Sequence, residues 1–206
     1  MSRLAVFLLV IGLALALSGQ AVAVRPELPE LSEAQTQQLL DGQLVFITEK
    51  VQKGPSTVTG LAEIRASADQ LWSLLLDNGQ IQKASASVKE LHTYHDQVDG
   101  QGVRVIGLNY LIRSGPISLR YFVKRRYVAS EGYMTWSLDP ARESDLAATT
   151  GSYSTHPGQR PGTVLFLYRA SVDVGKSVPA WIEERLAAKS LKNYLRHIKK
   201  IAEEEG

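Results

Sequence analysis

The 206-residue chain contains no cysteine. That excludes a disulfide framework, a thiolate metal site and a cysteine nucleophile. It also excludes a lipoprotein, whose lipid is carried on a cysteine thiol. Net charge is scarce as well: 23 basic against 21 acidic residues leave +2, whereas a dedicated nucleic-acid binder shows a strong basic excess. The sequence has no G-x-S-x-G elbow, no Walker loop and no dinucleotide fingerprint, and no internal repeat or low-complexity tract. What it does have is a hydrophobic fraction of 44%, enough at this length to build a core, so wholesale disorder is excluded.

Met1–Ala23 reads as a secretory signal peptide. Arg3 supplies the positive start, Leu4–Leu17 is an apolar stretch of 14 residues, and Ala21-Val22-Ala23 is a small-x-small cleavage site. As a helix this stretch rises about 21 Å, short of the ~30 Å hydrocarbon core, which disfavours an uncleaved anchor. Cleavage after Ala23 leaves 206 − 23 = 183 residues. The expected site of action is outside the cytoplasm, periplasmic or secreted.

Residues 24–43 read as an N-terminal extension: an extended tether over Val24–Leu31, then a short helix. Ser32 and Gln35 have the spacing of a capping box, and Gly42 is a stop. The main domain is expected over 44–206. Leu44–Val51 and Thr57–Arg65 are β-rich, as a hairpin or one interrupted edge. Ser67 and Gln70 form a second capping box ahead of an apolar helix that Asn78-Gly79 ends, with a short helix or turn near Ile81–Ser85. Six strand-like segments follow between Val88 and Val172, joined by short turns such as Asp99-Gly100, Gly115-Pro116 and Pro161-Gly162. Short joints mean an antiparallel meander, because parallel neighbours need long crossovers. A long amphipathic helix closes the chain, about Pro179–Ala202, with Ser177 as its expected cap.

This order predicts an α+β fold in which a curved seven-stranded antiparallel sheet wraps a long C-terminal helix. The gap between a bent sheet and one helix is the expected place for an apolar pocket.

Three motifs resemble those of one superfamily, the START and polyketide-cyclase-like (SRPBCC) domains. Ala66-Ser67-Ala68-Asp69-Gln70-Leu71-Trp72-Ser73-Leu74-Leu75-Leu76-Asp77 resembles its A-x-x-x-x-(V/L)-W-x-x-L-x-D segment. Gly162-Thr163-Val164 through Tyr168 resembles the G-T-x-(V/L)-x-Y strand. Val178-Pro179-Ala180-Trp181-Ile182, with Ser190-Leu191 and Leu195-Arg196, resembles the closing helix. The resemblance covers roughly Leu44–Ile201. It implies a helix-grip fold with a deep cavity for lipids or other hydrophobic molecules. Members include sterol and phospholipid carriers, coenzyme Q-binding proteins and aromatases. Where many members carry an Arg-Asp pair in the middle strand, this chain reads Arg125-Arg126, so any role built on that carboxylate falls away.

Strand periodicity assigns the candidate cavity residues. In Ile117–Val128 it turns Tyr121 and Arg125 inward, the latter as an anchor for a ligand carboxylate, phosphate or carbonyl. Met134, Trp136, Phe166 and Tyr168 share the inward register of their strands, and Tyr110, Tyr153 and Trp181 join them. His92 and His95, three apart on a strand, are expected on opposite faces and so do not form a metal site without a bulge. Ser152, Ser154 and His156 alternate on one face but lack an orienting acid. The polar stretch Asp139–Ala147 is expected as a mobile loop at the cavity mouth.

The expected function is reversible binding or carriage of a hydrophobic small molecule (a lipid, quinone or sterol-like compound), with no metal or cofactor. The chain is expected to have no nucleic-acid partner and transient membrane contact, and the sequence does not specify an oligomeric state. An aromatase/cyclase on the same fold is the alternative, and an interaction domain with a filled core is a third.

Overall fold

A computed structural model describes residues 25–49, 55–175 and 180–204, and the side chains of 180–188 lie outside the described residues. The expectations for Met1–Ala23, Ser177 and Pro179 therefore fall outside them too. Both capping boxes form. Ser32 Oγ accepts from the Gln35 N–H and Gln35 answers through the Ser32 N–H, opening α1 (Glu33–Leu40). Ser67 and Gln70 do the same for α2 (Ala68–Leu76). Gly42, at φ +76°, ends the first segment in the left-handed region that glycine tolerates. Asn78-Gly79 does not merely end α2. The Asp77 carboxylate accepts the Gly79 N–H at 2.8 Å and caps a further helix, α3 (Asn78–Ala84).

Eight strands follow the chain as β1 (Val45–Glu49), β2 (Thr57–Ile64), β3 (Val88–Val98), β4 (Arg104–Ser114), β5 (Ile117–Val128), β6 (Tyr133–Leu138), β7 (Ala148–Pro157) and β8 (Val164–Asp173). They form one antiparallel sheet in the order β1-β2-β8-β7-β6-β5-β4-β3. The count is eight rather than seven because β1 is a separate strand, paired with β2 from Val45↔Leu61 to Glu49↔Thr57. The last strand, β8, docks between β2 and the meander. α2 and α3 carry the chain from β2 to β3, at the far edge.

The helix α4 (Ala180–Glu204) lies across the concave face against β2 and β8. Its residues Leu191, Tyr194, Leu195, Ile198 and Ala202 are buried, while Lys192, Arg196 and Lys200 face solvent. β2 and β8 are buried on both faces. Val58, Ala62, Ile64 and Phe166 enter the core under α4. Leu61, Leu165 and Leu167 turn outward and close a second cluster with Leu39 of α1 and Val45. Ahead of α1, Arg25 donates to the Thr155 carbonyl at 2.7 Å.

A bulge interrupts β3, where the register shifts between Thr93 and His95. The alternation argument for the two histidines fails there. His92 pairs with Asn109 and His95 with Gly107, so both lie on the outer face. Gly107 has no side chain because the Tyr94 ring occupies that space: a Cβ would meet the ring carbons at 2.5–2.6 Å.

Gly60 lets α4 approach β2 closely. A Cβ there would collide with Leu195 and come within 2.7 Å of Leu191. Gly60→Ala is expected to overpack this contact at a cost of about 1–3 kcal/mol, read as a melting point lowered by several degrees. Leu39→Ala is expected to cost about 2–5 kcal/mol, since Leu39 is fully buried against the sheet. A loss below about 0.5 kcal/mol in urea unfolding would show that α1 does not contribute to the fold.

Candidate functional site

Between α4 and the concave face lies a cavity of about 190 Å³. Its deep wall is aromatic. Tyr110 and Tyr121, opposite each other on β4 and β5, stack at 4.9 Å with their planes 4° apart. Across from them Trp136, Tyr153, Tyr168 and Tyr194 meet mostly edge to face, at 4.8–5.8 Å. Trp136 lies over Gly151 of the neighbouring strand, where a Cβ would overlap the indole. Near the other end the wall turns aliphatic, with Ala84, Val88, Ile112, Leu119, Leu146, Val172 and Val174.

Arg125 is the one charged side chain among the described lining residues. Pairing with Trp136 and Ile106 fixes it inward on β5, and it is 4% exposed. One terminal nitrogen donates to the Tyr110 hydroxyl at 2.8 Å and the other to Asn78 Oδ1 at 3.3 Å. Its Nε has no acceptor. No Asp or Glu among the described residues forms an ion pair with it. Burial pushes the phenols of Tyr110, Tyr121, Tyr153 and Tyr168 above their ordinary value, against the opposing charge of Arg125. They are neutral at physiological pH and supply no counter-charge.

The structure thus brings Tyr110, Tyr121, Arg125, Trp136, Tyr153 and Tyr168 together on the cavity wall. Met134 and Phe166 share the inward register but are fully buried in the core and do not line the cavity. The Trp181 side chain lies outside the described residues. Sequence reasoning missed the aliphatic end of the wall, and with it two residues beside the aromatic and polar groups of the site. Tyr194 was legible as a tyrosine on a buried helix stripe, a place where a phenol needs a polar neighbour. Asn78 carried no sequence signal, since its contact with Arg125 depends on how α3 sits over β5.

Two polar groups outside the cavity have structural explanations. Ser154 Oγ lies 3.0 Å from His156 Nε2, but the other ring nitrogen faces Arg25 at 3.3 Å. Arginine only donates, so Nδ1 accepts and Nε2 carries the proton toward Ser154. A base for serine needs the opposite tautomer and an acid where Arg25 stands. Burial, and then the charge of Arg25, hold His156 below its ordinary pKa. Among the described residues no group of three or more His, Asp or Glu is placed to hold a metal ion.

The stretch after β6 is tied down. Asp139 is 2% exposed. It accepts from the Tyr94 hydroxyl at 2.8 Å and the Ala141 N–H at 3.1 Å, and pairs with Lys124 at 3.1 Å. Asp145 clasps the Arg120 backbone in both directions, and Leu146 reaches the cavity. The expected mobile loop is therefore a strap stitched to the backbone of β5 where its pairing with β6 ends.

No family model matches the sequence, and no curated protein matches it. Solved structures do match its shape. A START superfamily protein from Mycobacterium smegmatis aligns with a TM-score of 0.58 at 19% identity, covering 74% of this chain and all of that one. A STAR-related lipid transfer protein from Xanthomonas axonopodis aligns at 0.60 and 14%, covering 77% and 93%. The Zhui aromatase/cyclase from Streptomyces sp. R1128 aligns at 0.54 and 14%, covering 71% and 93%. The chain has the START-like helix-grip fold. At these identities the likeness speaks for the fold alone, and the matching structures include one with a lipid-transfer name and one with a cyclase name.

The buried acids make the START-like sheet sensitive to low pH. Burial works to raise Asp139 and Glu63, but hydrogen bonds from Tyr94, Ala141 and Lys124, and from Thr163 and Arg160, outweigh it and hold both below ordinary values. Depressed carboxyls stabilise the fold above their unfolded values, near pH 4, and that contribution is lost as pH falls through the folded ones. Asp139→Asn is expected to lose about 1–3 kcal/mol at pH 7, with the gap from the parent closing toward pH 3. Urea midpoints across that range check it. A gap that stays constant with pH would mean that the charge on Asp139 contributes nothing.

Proposed function

We propose that this protein is exported and reversibly binds or carries a hydrophobic small molecule in the cavity under α4. The observation that carries the reading is the open space itself: a wall of six aromatic rings that the fold leaves unfilled. Burying apolar ligand surface there provides the driving force, roughly 0.8 kcal/mol per CH₂. A dry apolar cavity of about 150 Å³ already takes up benzene, whereas drug-sized ligands occupy about 300–1,000 Å³. The space therefore fits a compact molecule or one section of a longer one. The basic outer face of α4 supports brief contact with anionic membranes, where ligand would exchange.

A cyclase is the second reading, and one feature favours it. The Arg125–Tyr110 pair, 2.8 Å apart, could polarise a carbonyl oxygen. Against it, no carboxylate or imidazole lines the cavity among the described residues, and general acid–base catalysis needs a group that titrates near the working pH.

Native mass spectrometry of the protein purified from its own host envelope tests the reading. The expected result is a co-purifying apolar mass released on denaturation, on a polypeptide that begins at Val24. Delipidated protein that takes up no fluorescent fatty acid, quinone or sterol analogue would overturn the binding reading. An intact mass that retains residues 1–23 would overturn export with cleavage.

A further inference from the structure

We infer that the ligand is anionic: an apolar body with a single carboxylate-type head that docks on Arg125. This rests on the binding reading above and narrows it. Three residues of the described fold are both charged and buried: Glu63, Arg125 and Asp139. The two acids have ion-pair partners, Glu63 in Arg160 and Asp139 in Lys124 and Arg142. Arg125 alone has none among the described residues. A guanidinium cannot give up its proton in a protein, so its charge persists inside the apolar wall. An unpaired buried charge costs several kcal/mol, and neutral hydrogen bonds recover only part of that.

The fork geometry specifies the missing group. A guanidinium offers five N–H donors in a plane. Two of them are used, toward Tyr110 and Asn78, and Nε finds no acceptor. Tyr110 and Asn78 hold the two arms apart and fix the plane. Two oxygens of one oxyanion match such a fork with two parallel bonds, and a lone carbonyl oxygen does not. The stacked faces of Tyr110 and Tyr121 then border the body attached to that head. Because the space is compact, it takes a ring system or a section of a single chain, and not a pair of acyl chains.

The fluorescent pair 8-anilinonaphthalene-1-sulfonate and N-phenyl-1-naphthylamine tests this, since the two share a skeleton and differ by the anionic group. The delipidated mature protein is expected to bind the sulfonate at least about tenfold more tightly, as a charge-assisted hydrogen bond implies. Arg125→Met is expected to abolish that preference while keeping the neutral probe. Its melting point is expected to hold or rise, since an unpaired buried cation is replaced by an apolar side chain of similar length. Equal affinity of the unmodified protein for both probes would overturn the anionic head and leave the binding reading standing, and it needs no variant to be read. Failure of both probes to bind would overturn the two together. A melting point that drops by several degrees in Arg125→Met, with the preference for the sulfonate retained, would make Arg125 a structural strut.

Discussion

Gly60 lets the helix settle closely onto the sheet. With no side chain on β2 there, Leu191 and Leu195 of α4 settle onto the backbone. A bent sheet held by a straight helix at one edge must diverge from it toward the other. On the far side of the contact the wall carries large rings instead of small residues, and these brace one another and Tyr194 of α4. The open volume is thus a product of packing geometry and needs no special cavity-forming element. Gly151 plays the complementary part, letting Trp136 lie flat along the wall instead of projecting into the space.

The outer face solves a different problem. The strands there would expose backbone and apolar side chains, and the chain covers them with its own segments. α1 lays Leu39 over Leu61, Leu165 and Leu167. The strap after β6 lies along β5, where Arg142 sits 4.1 Å over the Tyr94 ring. The bulge in β3 and the bare Gly107 make room for that ring. The three features form one unit, and they rigidify the part of the sheet that carries Arg125 on its inner side.

Much of this could be read from residues, and the failures have causes. Capping boxes are local chemistry, so Ser32 and Ser67 announced their helices. Alternation placed Tyr121 and Arg125 correctly because β5 is regular over twelve residues. It failed at His95 because one extra residue reverses the faces of everything after it, and nothing local in Thr93-Tyr94-His95 marks the bulge. Its cause lies across the sheet, at Gly107. Alternation also set Met134 and Phe166 beside Trp136 and Tyr168 without separating core from cavity, since that division depends on how far each sits from the helix. The strand count slipped because a hairpin and a broken edge carry the same β-rich composition.

The two faces also differ in how they treat charge. On the outer side each buried carboxylate gathers its own donors: Glu63 takes the Arg160 N–H at 2.9 Å and the Thr163 hydroxyl at 2.7 Å, and Asp139 is surrounded likewise. Glu63 Oε2 is left without a partner among the described residues, but each of the two acids has a counter-ion, and that is what keeps a buried charge structural. Inside, the same chain holds a guanidinium beside an apolar space with two modest contacts and no counter-ion among the described residues. Filling that position with an aliphatic residue would remove the cost without altering the sheet, since β5 needs only an inward side chain of that size there. A charge kept where packing does not call for it, beside a volume that packing leaves empty, ties the two observations together. The empty volume is the place for the apolar body, and the unpaired guanidinium defines the head group.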